Sequence, residues 1–331
     1  MNHGMFAVSE PGNGLADHYI DAIAAALDKS RRPATLRAYE RAWERFRVWA
    51  VSEGLEPLPA DPLTVAAYLA YRAGIGRSPS TLALDRKAIS YRHGKRGYPS
   101  PTASEGVKAT LAGLRNQAAE DGRGDPRQAR ALTGTGLRAI ERTAHRQRRG
   151  PTGRTESVES ARWRGDVDIA LASVMRDALL RRGEAARLRW GEVEFWSDGS
   201  ARVIVRHSKT SSASAVLYVG LRAAKALRRI RAADAEPGDR VFRLRSGRSI
   251  ANRIAAMARA AGLGEGFSGH SPRIGMAQDL TAAGVGLPAL MVAGRWKSER
   301  MPAYYSRGQS AGRGAVANFY ANGAAAGSGG R

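Results

Sequence analysis

Leu36, Tyr39, Trp43, Phe46 and Ala50 recur at alternating spacings of three and four, the period of one helix face. Pro33 stands where a first helical position favours it, so the pattern predicts the strongest amphipathic helix of the chain from there. Ahead of it, Leu15, Tyr19, Ile23 and Leu27 are four apart and suit a short helix, while residues 1–14 read as a flexible arm. Behind it, Gly54 ends the helix and EPLPADP makes a turn whose Asp61 can cap a helix over 62–73. Ser78 or Ser80 can cap a third long helix to about 93, and Val107, Leu111 and Leu114 line a fourth over 104–119. The first third of the chain is therefore expected to be all helical.

EDGRGDPRQAR interrupts this pattern with two glycines and a proline among charges, the composition of a linker. Residues 15–119 then form one helical domain, 120–131 the linker and 132–308 a second domain, with a tail over 309–331. The second domain is expected to begin with a helix over 133–145 and an Arg-rich loop to about 157. A long, increasingly buried helix over 160–180 follows, ending in LLRRGEAARLRW. ARVIVR alternates as a strand does, and SAVLYVG resembles its return strand, with HSKTSSA and Lys209 at the hairpin tip between them. Helices are expected over 223–233 and 249–261. Gly262, Gly264 and Gly266 lack the strand and Gly-Lys-Ser/Thr of a phosphate-cradling loop and read as a connection. The fold class is mainly α with a small antiparallel sheet.

Charge changes the picture. The 331 residues carry a formal +23, far beyond what solubility requires, so the expected partner is a polyanion, with nucleic acid first. No apolar run approaches the roughly 18 residues of a spanning helix. The first residues show no basic region followed by a long apolar core, so an intracellular place is expected. There are no cysteines, and no two of the six histidines share the short spacing of a zinc helix. No metal or cofactor is expected.

Candidate chemistry concentrates near the C-terminus. GHSPRIG places His270 and Arg273 three apart, on neighbouring positions of one helical face, and GRWKSERMPAYY sets Trp296 nine residues before Tyr305. An arginine can hold the nonbridging oxygens of a phosphodiester, an imidazole can move a proton, and a phenol can attack phosphorus. Earlier, Arg181 adjoins an apolar helix end, where an unpaired buried charge is costly, and Glu184 three residues on can pair with it. On the N-terminal helices, Arg37, Arg41 and Arg45 share one edge, and Arg86, Lys87, Ser90 and His93 are taken as exposed positions. The first set is a candidate DNA-facing edge.

Arg181, Lys209, His270, Arg273, Trp296 and Tyr305, in that order, resemble the tyrosine recombinase (phage integrase) family over roughly residues 15–322. The sharpest parts are LLRRGEAARLR, SKT between two strands, GHSPRIG with the following AAGVGLPALMVAGRW, and the tyrosine nine residues past Trp296. The resemblance implies an N-terminal helical, SAM-like core-binding domain, whose Arg37, Arg41, Arg45, Arg86, Lys87, Ser90 and His93 would face the DNA major groove, and an α+β catalytic domain. It implies Arg181, Arg273 and Trp296 as phosphate-bracing groups and Glu184 as the nearby acid. Lys209 would protonate the leaving 5′-oxygen, His270 would serve acid–base chemistry or hold the phosphate, and Tyr305 would be the nucleophile, with Tyr304 the rival. A homotetramer on double-stranded DNA with inverted-repeat sites is implied, with Val316, Phe319 and Tyr320 of the tail as a plug for a neighbouring subunit. Two rival readings stay open: a type IB topoisomerase-like nicking and closing enzyme, and a non-catalytic DNA-binding protein of the same fold.

Overall fold

The computed structural model describes residues 31–124, 128–150, 152–206 and 214–311, with side chains to 307. The chain divides into two compact units after Arg127.

The N-terminal unit is built from α1 (Pro33–Ser52), α2 (Pro62–Gly74), α3 (Pro79–Lys95) and α4 (Glu105–Glu120). Each of the first three carries proline in its first turn, where the missing N–H forfeits no helical bond. Asp61 caps α2 by accepting the Leu63 amide at 2.7 Å. Ser78 precedes α3 without capping it, since its hydroxyl is held by Ser80 and Thr81 instead. The apolar stripe of α1 buries Trp43, Phe46 and Ala50 against Val65, Tyr68 and Leu69 of α2, Leu82 and Ile89 of α3, and Val107 and Leu111 of α4.

Two polar groups sit inside this helical core. Asp85 is fully buried and bridges Arg45 at 2.9 Å and Arg72 at 3.1 Å. His93, taken from the sequence as exposed, is also fully buried. Its Nε2 accepts the Ala60 amide at 2.9 Å and its Nδ1 donates to the Ile89 carbonyl at 2.8 Å. Placing His93 among DNA-facing residues is therefore corrected. A ring that satisfies two backbone groups in the core has no face left for DNA.

The C-terminal unit is organised by α6 (Val158–Asp177), whose stretch from Ala170 to Met175 is wholly buried. Around it lie α5 (Gly134–Thr143), α8 (Leu221–Ile230), α9 (Gly247–Ala260) and α10 (Ser271–Ala282), followed by α11 (Leu287–Gly294) and α12 (Arg300–Ala311). A three-stranded antiparallel sheet runs β1 (Val193–Phe195), β2 (Ala201–Val205), β3 (Ala215–Val219) in that order. Val203 faces Val193 on one side and Leu217 on the other. Strand β1 was not anticipated, because three residues are too short a run to show alternation.

Arginines tie the elements together. Buried Asp168 of α6 takes Arg148 at 3.0 Å, Arg164 at 3.2 Å and Arg253 of α9. At the other end of α6, Arg176 donates to the Leu132 carbonyl and pairs with Asp279 of α10 at 2.7 Å. A Cβ on Gly275 would collide with the Leu132 backbone, so glycine there lets α10 lie directly on the segment entering α5. No helix among the described residues is long and apolar enough to cross a membrane.

Candidate active site

The site begins where α6 ends. Leu179 turns the chain through a left-handed conformation, φ 43°, which a leucine rarely adopts. This aims its carbonyl across to α10 and delivers Arg181 to the start of α7 (Arg182–Ala185). Glu184, in the first turn of α7, accepts the Arg181 backbone N–H at 2.9 Å and pairs with its guanidinium at 2.9 Å. One carboxylate thus fixes both the backbone and the side chain of Arg181.

Helix α10 supplies the second guanidinium. Pro272 lies in its first turn, so the helix is not interrupted. His270 sits exposed immediately before α10, its amide held by Ser268 Oγ at 3.3 Å, whereas the Arg273 side chain is 2% exposed. Although close in sequence, the pair divides between surface and interior. Arg273 donates to the carbonyls of Leu179 and Gly294, which close the ends of α6 and α11. Burial, with Arg181 and Arg295 close by, pushes Arg273 down to about 9.

Trp296 lies two residues past the end of α11. Its ring lies over the Arg273 guanidinium, 4.3 Å from centroid to Cζ, and meets the Tyr305 ring edge-on at 6.0 Å. Gly294 makes room for it, because a Cβ at that position would overlap the indole. Pro302 occupies the first turn of α12, and Gln278 of α10 donates to the Tyr305 carbonyl at 3.0 Å, tying that helix to α10. Tyr305 is half-buried. Burial raises its phenol above the ordinary value, and the charges of Arg273 and Arg181 only partly offset this. The neighbouring Tyr304 instead lies under Arg307, 4.9 Å from its ring centroid.

Arg181, Glu184, Arg273, Trp296 and Tyr305 therefore share one contiguous set of contacts, and His270 immediately precedes the helix that carries Arg273. Lys209 lies outside the described residues, as do Val316, Phe319 and Tyr320. In the N-terminal unit Arg37, Arg41 and Lys87 are exposed, Arg45 is held by Asp85, and Arg86 and Ser90 are half-buried, with Ser90 accepting from Ser100 at 2.9 Å.

Two participants were not anticipated. Gly294 is one, and Arg295 is the other. Arg295 has φ 57°, pairs with Glu184 at 3.0 Å and donates to the Leu179 carbonyl at 3.2 Å, while its own carbonyl accepts from Arg181 at 3.4 Å. The signal was available, since an arginine directly after the apolar run LPALMVAG is the same warning that singled out Arg181.

The described residues contain no group of histidine and carboxylate side chains able to hold a metal ion. The arrangement is two or three guanidiniums, a carboxylate that orients them, an indole donor and a phenol. That set is chemically equipped to hold a phosphate and to supply a nucleophile to it.

Comparisons with known proteins agree with this chemistry. Residues 164–311 match the phage integrase family. Recombinase Cre of Escherichia phage P1 is 24% identical over 315 residues, covering 86% of this chain and 85% of Cre. An integrase/recombinase XerD homolog of Selenomonas ruminantium is 31% identical over 94 residues, 28% of this chain and 27% of that protein. Among solved structures, a lambda integrase dimer bound to a COC′ core site overlays with a TM-score of 0.56 at 17% identity, covering 88% of this chain and 95% of that one. The Tn1549 transposon integrase in complex with transposon right end DNA gives 0.55 at 14% identity, covering 88% and 97%. The likeness to proteins named recombinase and integrase marks the chain as an enzyme. Residues 164–311 carry a phage integrase family domain.

Proposed function

We propose that the protein recombines DNA at specific sites through a 3′-phosphotyrosine intermediate. The carrying observation is the convergence of Tyr305, through Trp296, on Arg273, and of Arg273, Arg181 and Glu184 around the Leu179 turn. In this reading the Tyr305 oxygen bonds to phosphorus as the bond to the 5′-oxygen breaks. The phenol loses its proton, and Lys209 gives one to the leaving oxygen, so a free 5′-hydroxyl results. Arg181 and Arg273 brace the equatorial oxygens with their planar forks, the Trp296 indole N–H adds a donor, and His270 holds the phosphate or relays a proton. The phosphotyrosine conserves the phosphodiester's energy. A 5′-hydroxyl from a partner duplex reverses the attack without a nucleotide cofactor.

Two duplexes present four strands, so a homotetramer on inverted-repeat sites, passing through a Holliday junction as a Cre-like enzyme would, completes the proposal. Val316, Phe319 and Tyr320 would dock the tail on a neighbouring subunit. Arg37, Arg41, Arg45, Arg86, Lys87 and Ser90 would face DNA, and phosphate contacts would make affinity fall with salt. A cleft of about 490 Å³ beside Glu184, lined by Arg187, Arg189, Arg206 and Arg240, suits the backbone flanking the cut.

The test is covalent capture. Full-length protein is incubated with a library of nicked, randomised duplexes, denatured, and the DNA that stays attached is sequenced. Wild type is expected to retain one family of inverted repeats and Tyr305→Phe none. An adduct that persists in Tyr305→Phe sinks the nucleophile assignment. Supercoil relaxation with no exchange between two captured sites favours the topoisomerase-like alternative.

A further inference from the structure

We propose that Arg295 is a positioning residue for strand cleavage, clamping Glu184 so that Arg181 is fixed against the scissile phosphate and adding the second net positive charge of the cluster. The proposal rests on the Tyr305 reading above and deepens it.

The backbone at residue 295 asks for glycine. Helix α11 ends there in a left-handed residue, φ 57°, whose amide closes back on the Val292 carbonyl at 3.1 Å, and this is the place where glycine ends helices without strain. The chain puts its bulkiest cation there instead. The side chain is only 12% exposed, and its Nε and Nη1 are buried without a hydrogen-bond partner. A residue kept for helix termination would carry neither burden. Strain and unmet donors gathered at one side chain point to a role in the site.

What Arg295 gains is Glu184 and the Leu179 carbonyl. Its Nη2 reaches Glu184 Oε2 at 3.0 Å, the same oxygen that accepts the Arg181 backbone N–H, while Glu184 Oε1 holds the Arg181 guanidinium. The carboxylate is thus gripped from both sides and cannot rotate away from Arg181. The Leu179 carbonyl, aimed by its own left-handed turn, receives both Arg273 and Arg295. Two unusual backbone conformations therefore converge on one set of bonds.

Charge supports the same conclusion. Arg181, Arg273 and Arg295 against Glu184 leave two net positive charges in this cluster. A phosphodiester carries one negative charge, and attack by a phenol that gives up its proton brings a second. Of these four side chains alone, removal of Arg295 leaves a single net positive charge, which matches the bound diester but not the second charge that attack brings, and only the excess made in the transition state accelerates the step.

The experiment compares Arg295→Gly and Arg295→Lys with wild type in full-length protein on the duplex recovered by covalent capture. Arg295→Gly suits the backbone, so its thermal midpoint is expected at or above that of wild type. Its single-turnover cleavage rate is expected to fall about 100-fold with DNA affinity nearly unchanged, and lysine, keeping charge without the fork, to recover about tenfold. Sodium sulfate at constant ionic strength gives a readout independent of cleavage. It is expected to raise the wild-type midpoint at least about twice as much as that of Arg295→Gly. Cleavage by Arg295→Gly within about threefold of wild type, or an equal sulfate shift, overturns the proposal. A wild type that forms no adduct overturns the Tyr305 reading instead, and the sulfate comparison still decides Arg295.

Discussion

Replacing Gly294 with alanine adds one methyl group at the point where α11, Trp296 and Arg273 meet. The added Cβ would fall within the indole of Trp296, so something must shift, and the ring cannot retreat freely because the Arg273 guanidinium lies on it at 4.3 Å. Overpacking of this kind costs about 1–3 kcal/mol. The greater helix propensity of alanine returns up to about 1 kcal/mol near the end of α11. With the full return the net is a loss of up to about 2 kcal/mol, a drop of up to a few degrees in thermal midpoint for a unit of this size. Activity should suffer more. The displaced ring carries the indole donor, and Arg273 depends on the Gly294 carbonyl. A misplacement of about 1 Å in such a site costs roughly 100-fold. Single-turnover adduct formation and thermal unfolding, measured side by side, check this, and a cycle with Trp296→Ala isolates the cause. Once the indole is gone the methyl has room, so Gly294→Ala should have little further effect in that background. Equal effects of Gly294→Ala with and without Trp296 would refute the steric reasoning.

Two further perturbations address the N-terminal unit. Asp85→Ala leaves Arg72 buried without its carboxylate, a change expected to cost about 3–5 kcal/mol in urea unfolding, whereas a surface pair such as Lys108 with Glu105 should be worth under about 1 kcal/mol. His93 provides a pH dependence. Burial lowers its pKa, against a smaller opposing effect from its bond to the Ile89 carbonyl. Its contribution to stability is then complete above the ordinary imidazole value of about 6.5 and is lost as pH falls through the lower folded value. Thermal midpoints should drop as pH is taken from about 7 to 5, with a shallower slope in His93→Gln; an equal slope in both would sink the assignment.

Much of the fold could be read from periodicity. The stripe from Leu36 to Ala50 and the alternation in ARVIVR both became elements close to their expected limits, because each buries one face and so must repeat with the geometry of its element. His93 shows where this fails. It follows Arg86, Lys87 and Ser90 on α3, and residue type suggested a polar face, yet the core needed a group able to accept the Ala60 amide. The site was legible where chemistry demands a residue type. Arg181, Glu184, Arg273, Trp296 and Tyr305 do lie together. The left-handed turns at Leu179 and Arg295 were not legible, because such a turn at a residue that is not glycine leaves no mark in composition or spacing and exists only by virtue of its tertiary contacts, whereas the Arg295 charge after an apolar run was there to be read.

The opposing shifts at Arg273 and Tyr305 explain why such a site can be assembled in advance without being reactive. Burial pushes the guanidinium down to about 9 and the phenol up, so each group is held in an environment that disfavours its charged form. Crowding by Arg181 and Arg295 adds to the stress on Arg273. A guanidinium does not give up its proton under ordinary conditions, so the stress is stored as unmet demand for an anion. The phenol meets its own stress by staying protonated, and a protonated phenol is a poor nucleophile. In the proposed reading, a phosphodiester between them would change both terms at once: it would give the arginines their anion, and it would give the phenol a phosphorus to which charge can pass as the proton leaves. With Tyr305 as the proposed nucleophile, its reactivity is expected to depend on DNA being in place, and Glu184, by orienting Arg181 while neutralising part of the cluster, would set how much charge waits for it.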